Sequence, residues 1–372
     1  MLRNIAFRDD KDFSGCSIFG MMDTRGGKVD GGPIIRAIAN MKERSNGLGG
    51  GFAVYGIYPQ FADLYALQVM FDDDCAREET EAFIRANFEL AEAGPIPYRP
   101  LPQVTDVPLL RRYFMRPLPA CLREEESEDD FVVRAVMHIN VNIDGAFVFS
   151  SGKDMGVFKG VGFPEDIGRF FRLDEYEGYA WVAHGRFPTN TQGWWGGAHP
   201  FNILDWSVVH NGEISSYGIN RRYLEMYGYA CTLHTDTEVI AYAVDLLVRR
   251  HGLSIEDVAG VLAAPLWEHI DRMPSRRKER ALALRQTYGS LLMNGPFSII
   301  ISNRRQMIGL TDRIRLRPLV AGRAGRMMYI SSEEAPIHLV EEGLEDTWIP
   351  SGGVPIVAEL EAAEGAREEV GA

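Results

Sequence analysis

The 372-residue sequence predicts an α+β protein in which two sheets are covered by helices. Three observations point to this. A short apolar run, SIFGMM, follows Cys16 near the start of the chain. Helical patterns lie before and after a strand-rich middle, and FSIIIS with QMIGLT alternates as a β-hairpin late in the sequence. Pattern alone leaves a doubly wound sheet open as the alternative.

In order along the chain, residues 1–15 (MLRNIAFRDDKDFSG) contain no continuous apolar core and carry three aspartates, so they are not a secretory signal. They are expected to be a leader that is removed, leaving Cys16 with both a thiol and an amine. Residues 16–22 read as a buried strand. PIIRAIANMKER (33–44) reads as a helix with proline in its first turn, and SNGLGGG (45–51) breaks it before a strand at 52–58. Residues 65–150 mix signals and are expected to form an insertion or elaboration. That region holds a helix at 77–93, a proline-rich passage at 95–103, an acidic run at 123–130 and strand signals over 131–150.

Strand signals return at 178–184 and 208–210, on either side of a Gly/Trp loop at 190–198. In LHTDTEVIAYAVDLLVRRHG (233–252), Thr235 is expected to cap a helix, with Glu238 completing a capping box and Gly252 ending the helix after Arg250. The basic stretch 272–285 reads as a solvated helix. The main domain is expected to span 16–350, followed by an acidic, flexible tail at 351–372.

The chain has 39 Lys and Arg against 52 Asp and Glu, a formal net charge of −13, which argues against a nucleic-acid partner. No apolar run approaches the roughly 20 residues of a membrane span. Cysteines stand at 16, 75, 121 and 231 without a CxxC pair, so neither a disulfide scaffold nor a metal site is expected, and the compartment is expected to be a reducing cytoplasm.

Four segments carry chemistry. Cys16 is either a small buried hydrophobe or, as an N-terminal residue, a nucleophile whose own amine takes the thiol proton. In HGRFPTNT (184–191), Arg186 follows a strand and can clamp a carboxylate, with Thr189 and Asn190 adding donors, although a surface arginine is the plainer reading. The loop after it, with its Trp pair, fits either a cover over a small ligand or a partner surface. In HNGEI (210–214), Asn-Gly is by default a hairpin turn. The same residues could instead form an oxyanion hole from the Asn211 amide and the Gly212 N–H. Asp236 either complements a helix dipole or holds an ammonium group. A thiol, an oxyanion hole, an arginine and an aspartate together fit glutamine.

With CSIFG (16–20), KERSNGLGGGFAVYG (42–56), HGRFPTNT, AHPF (198–201), HNGEI, HTDTE (234–238) and a later hairpin ending in Leu-Arg-Pro, the chain resembles the class II glutamine amidotransferases, nearest the glutaminase domain of glutamate synthase. The resemblance implies a four-layer αββα sandwich of the N-terminal-nucleophile hydrolase type. It implies Cys16 as nucleophile, Asn211 and Gly212 as oxyanion hole, and Arg186 and Asp236 as binders of the substrate α-carboxylate and α-amine. Thr189 and His210 are implied as supports of that pocket. Ser17 and Ser45 depart from the family's usual residues, glycine after the nucleophile and Arg-Gly after the first helix. No cofactor is expected on this chain. FMN and iron–sulfur clusters are expected on partners, namely a synthase subunit and a glycine-repeat β-helix subunit. Alternatives are an N-methylglutamate synthase subunit, an amide hydrolase for another substrate, or a non-catalytic glutamine-binding subunit.

Overall fold

The computed structural model describes residues 15–187, 193–233 and 235–361. Its centre is a pair of antiparallel sheets packed face to face. The larger has seven strands in the order Asp346–Trp348, Val320–Ala324, Met327–Ser331, Ser17–Asp23, Ala180–Gly185, Gly50–Tyr55 and Met155–Gly160. The smaller has five, ordered Phe201–Ile203, Trp206–Gly212, Phe297–Ser302, Gln306–Thr311 and Ile356–Glu359. The strand that starts beside Cys16 is thus central, with Gly185 opposite Ser17 and Ser331 opposite Phe19.

The two sheets touch closely at Gly20, where a Cβ would fall 2.7 Å from Met307 Sδ and 3.3 Å from Ile300 Cδ1. Ile18, Ala53, Val182, Val209, Ile300 and Met307 share the buried layer between them. On the smaller sheet, alternate residues point the other way: Val208, Ile299 and Ile301 join a second core with Ile240, Val244 and Leu247. Helices cover both outer faces. Gly32–Asn40, with Ile34, Ile35, Ala37 and Ile38 buried, lies on the larger sheet beside Pro164–Phe170 and Ala335–Val340. Glu238–Val244 packs on the smaller sheet, with Tyr217–Glu225 alongside it. The result is the expected αββα sandwich.

Residues 65–150 build a separate four-stranded sheet, ordered Phe88–Pro95, Leu109–Pro117, Tyr65–Phe71 and Ala146–Ser150. Two expectations fail within it. The helix predicted over 77–93 runs from Asp74 to Asn87, and Phe88–Pro95 turns into an edge strand with only Phe88 buried. Ladder hydrogen bonds to Leu109–Pro117 stabilise that strand rather than an apolar face. The strand predicted over 131–150 is mostly a helix, Glu128–Asn142. Ser127 Oγ accepts from Asp130 N at 3.1 Å and three acids occupy the first turn, so capping and dipole outweigh the β-branched composition.

The capping box at Thr235 does not form. The helix begins at Glu238, whose carboxylate instead accepts the Thr232 and Leu233 N–H groups at 3.1 and 2.9 Å and pins the preceding loop. The chain then passes through a π-helical turn, Asp245–Arg250, and stops near Gly252 as expected. The tail expected to be flexible from 351 contributes Ile356–Glu359 as the outer strand of the smaller sheet, because the Gln306–Thr311 edge needs a partner. Residues 275–288 form the expected solvated helix, with no buried side chain. Among the described residues, no helix is long and apolar enough to cross a membrane.

The contact at Gly20 yields a test. Gly20→Val forces side-chain atoms between the sheets and should lower the unfolding free energy by about 1–3 kcal/mol, read from chemical denaturation.

Candidate active site

Strand alternation sorts the HNG residues. Val209 faces the larger sheet and Val208 the helices, so Asn211 points toward the Cys16 strand and His210 toward the helix layer. Asn211 is fully buried, and its Nδ2 donates to Ser332 Oγ at 3.5 Å. That hydroxyl also accepts from Ile18 N at 3.1 Å, which ties the asparagine to the start of the Cys16 strand. Asn-Gly does not make a hairpin here. Gly212 ends the strand opposite Phe297 with φ +149°, and a Cβ there would lie 2.0 Å from the Pro296 carbonyl oxygen. Only glycine fits.

Cys16, Arg186, His210, Gly212 and Asp236 line one cavity of about 690 Å³ with Phe187, Thr235 and Thr237. Asn211, fully buried, is not among the residues that line it. Thr189 lies outside the described residues, as do Asn190 and His234. The Cys16 Sγ accepts from the Phe187 N–H at 3.4 Å, and Arg44 Nε donates to the Cys16 carbonyl at 3.1 Å while pairing with Glu333 at 2.8 Å. Burial pushes the Cys16 thiol up. The Phe187 N–H and the Arg186 and Arg317 charges pull it down, while Asp236 adds to the rise. With burial dominant, this thiol needs a base.

Asp236 is not in the first helical turn but two residues ahead of the helix. Its Oδ2 accepts from Ile214 N at 2.9 Å, its Oδ1 lies 3.9 Å from His210 Nδ1, and it is 29% exposed, so an ammonium group can still reach it. Arg186 is buried, which pulls its pKa down, while Cys16 and Asp236 oppose that shift.

Sequence reasoning missed the support beneath this wall. His184, His199 and His210 cluster there: Thr237 Oγ1 lies 2.7 Å from His199 Nε2 and 3.0 Å from His210 Nδ1, and His184 Nε2 lies 3.0 Å from the His210 carbonyl. The imidazoles of His184 and His199 sit 3.9 Å apart. Burial holds all three neutral, with His184 pushed down to about 3. One hydroxyl proton cannot serve two ring acceptors, so at least one of His199 and His210 presents its N–H to Thr237. The AHPF and HTDTE motifs carried the signal, but only the fold shows that they meet. Of the Trp pair, Trp194 packs edge-on to Phe147 at 5.2 Å and Trp195 donates to the Thr105 carbonyl at 3.2 Å, while residues 190–192 of that loop lie outside the described residues.

A larger cleft, about 840 Å³, lies between Arg123–Met137 and Arg249–Arg250. Two of its five carboxylates, Glu126 and Asp130, are paired with Arg134 and Arg249, and Ser127 is engaged as a helix cap.

A thiol at the head of a central strand shares one cavity with an arginine and an aspartate, in an αββα sandwich of the N-terminal-nucleophile hydrolase type. The chain belongs to the class-II glutamine amidotransferases, whose family model matches residues 100–348. The segment bearing Cys16 lies outside that match. The chain is 54% identical over 358 residues to an uncharacterized protein of Archaeoglobus fulgidus, covering 95% of each. It is 27% identical over 219 residues to a putative glutamine amidotransferase of Methanothermobacter thermautotrophicus, covering 58% of this chain and 62% of that one. Glutamine phosphoribosylpyrophosphate amidotransferase from B. subtilis superposes with a TM-score of 0.47 at 14% identity, over 92% of this chain and 47% of that one.

The neutral histidines set an acid limit on stability. The folded pKa of His184 is about 3 against 6.5 for the free side chain, so only the unfolded chain takes up its proton as pH drops. Its contribution is complete above pH 6.5 and is lost progressively toward pH 3. His184→Gln should flatten the pH dependence of Tm across that window.

Proposed function

We propose that this glutamine amidotransferase is the glutaminase component of a glutamate-synthase-like assembly, hydrolysing L-glutamine and passing ammonia to a separate synthase subunit. The observation that carries the glutaminase half is the single cavity shared by Cys16, Arg186, His210, Gly212 and Asp236, drawn from separate stretches of sequence. The synthase half rests on the order of motifs that resembles the glutamate synthase glutaminase. FMN and iron–sulfur clusters belong, in this reading, to partner chains, as does a glycine-repeat β-helix.

In this mechanism Arg186 takes the substrate α-carboxylate by charge-assisted hydrogen bonds and Asp236 the α-ammonium, with His210 and Thr189 supporting the pocket. The Cys16 sulfur attacks the side-chain amide carbon. The carbonyl oxygen becomes an oxyanion held by the Gly212 N–H and the Asn211 amide, each donor worth about 3–4 kcal/mol. Collapse expels ammonia, which carries away the thiol proton through the Cys16 amine, and leaves a γ-glutamyl thioester. Water then attacks the thioester carbon, releasing glutamate and restoring the thiol. The buried thiol, raised by its surroundings, explains why the amine matters: it is the nearest base that removal of residues 1–15 creates.

Intact mass of the active chain should show loss of residues 1–15. Cys16→Ala should abolish glutamine-dependent synthesis while the partner still uses added ammonia, and persistence of both activities would overturn the assignment. Gly212→Ala should lower kcat by about a hundredfold. Asp236→Asn should raise KM for glutamine about tenfold with kcat little changed, as loss of a uniform binding contact requires. An unchanged KM would remove Asp236 from the ammonium site.

A further inference from the structure

Lys159 lies on the edge strand Met155–Gly160 of the larger sheet, yet only 1% of it is exposed. A lysine on a buried face is costly unless its ammonium is engaged. Its register partner is Gly51, which leaves room for its stem. The Nζ donates to the Gly196 carbonyl at 3.0 Å and lies 4.5 Å from the centre of the Phe201 ring, an apolar stem ending in one hydrogen bond and one cation–π contact. Glu238, behind the same loop, provides the opposing charge.

The residue after that carbonyl is the informative one. At Gly197 a Cβ would stand 2.5 Å from Trp194 Nε1 and 3.1 Å from Arg186 Nη1, so the Gly196–Gly197 backbone lies beside the indole and the guanidinium. The same short segment continues through Ala198 to His199, whose imidazole meets Thr237 beneath the cavity wall. One buried ammonium therefore fixes a backbone that abuts the arginine on one side and the histidine cluster on the other.

We propose that Lys159 is a positioning residue for substrate binding: by holding the Gly196 carbonyl it sets the Gly196–Gly197 backbone against Arg186 and so aims the guanidinium at the substrate α-carboxylate. This rests on the glutaminase reading given above. Lys159 touches neither substrate nor thiol, so its removal should act on ground-state binding through Arg186 and leave the bond-breaking step largely intact.

Glutamine hydrolysis by the full chain tests it. Lys159→Met keeps the stem and deletes the donor, and should raise KM for glutamine about tenfold or more, the loss expected of a charged hydrogen bond, with kcat within about threefold of the parent. Lys159→Gln, which retains a neutral donor, should recover part of that loss, and it carries the test if the methionine variant does not fold. Combining Lys159→Met with Arg186→Lys should raise KM no further than Arg186→Lys alone. With glutamine amide, which lacks the α-carboxylate, the Lys159→Met penalty should vanish. A KM unchanged in both Lys159 variants, a fall in kcat alone, or fully multiplicative effects in the double variant would overturn the proposal. If Arg186→Lys itself leaves KM unchanged, the carboxylate role of Arg186 fails, and the positioning role fails with it. A raised KM in Arg186→Lys with none in Lys159→Met removes only Lys159.

Discussion

The close approach of two antiparallel sheets at Gly20 underlies the rest of the molecule. Were the layers held a side chain further apart, the strand ending in Asn211 and Gly212 could not share Ser332 with the strand beginning after Cys16. The Ser332 hydroxyl serves both sheets at once, receiving one backbone N–H from the larger and one amide from the smaller. Packing between the sheets therefore does more than bury apolar area. It fixes the separation at which the strand after Cys16 and the strand bearing Asn211 meet on one hydroxyl.

Electrostatics at this end follows from the same burial. Three imidazoles, a lysine and a glutamate lie in or against the sandwich, and each is pushed toward its uncharged form: His184 to about 3, Lys159 to about 7 and Glu238 to about 7. Arg186 resists neutralisation by its chemistry, and Asp236 stays partly exposed. The cavity lining carries both signs of charge, Arg186 and Arg221 with Asp236 and Glu213, which suits a zwitterionic amino acid head group.

Much of this was legible in the chain itself because the functional residues sit in short, distinctive contexts. Cys16 before an apolar strand, Arg186 after one and Asn211–Gly212 at the end of a third all fall where the structure has them. What the sequence could not disclose was relational. The reading of 131–150 as strand followed β-branched composition, and lost to a serine cap with three acids behind it. The capping-box reading of Thr235 and Glu238 was chemically sound, but Glu238 finds better donors in the loop that precedes it. His199 and Thr237 lay inside the AHPF and HTDTE motifs, but their meeting was not readable there, and Lys159 carried no local sign at all: the three become a support only when separate parts of the chain are brought together.

The order of strands in the larger sheet has a temporal consequence. The first strand of the chain is flanked by Ala180–Gly185 on one side and Met327–Ser331 on the other. Contacts of such long range form late and slowly, and the second neighbour is not synthesised until most of the protein exists. During translation the Cys16 segment gains its first neighbour only once half the chain exists, and its second only near the end.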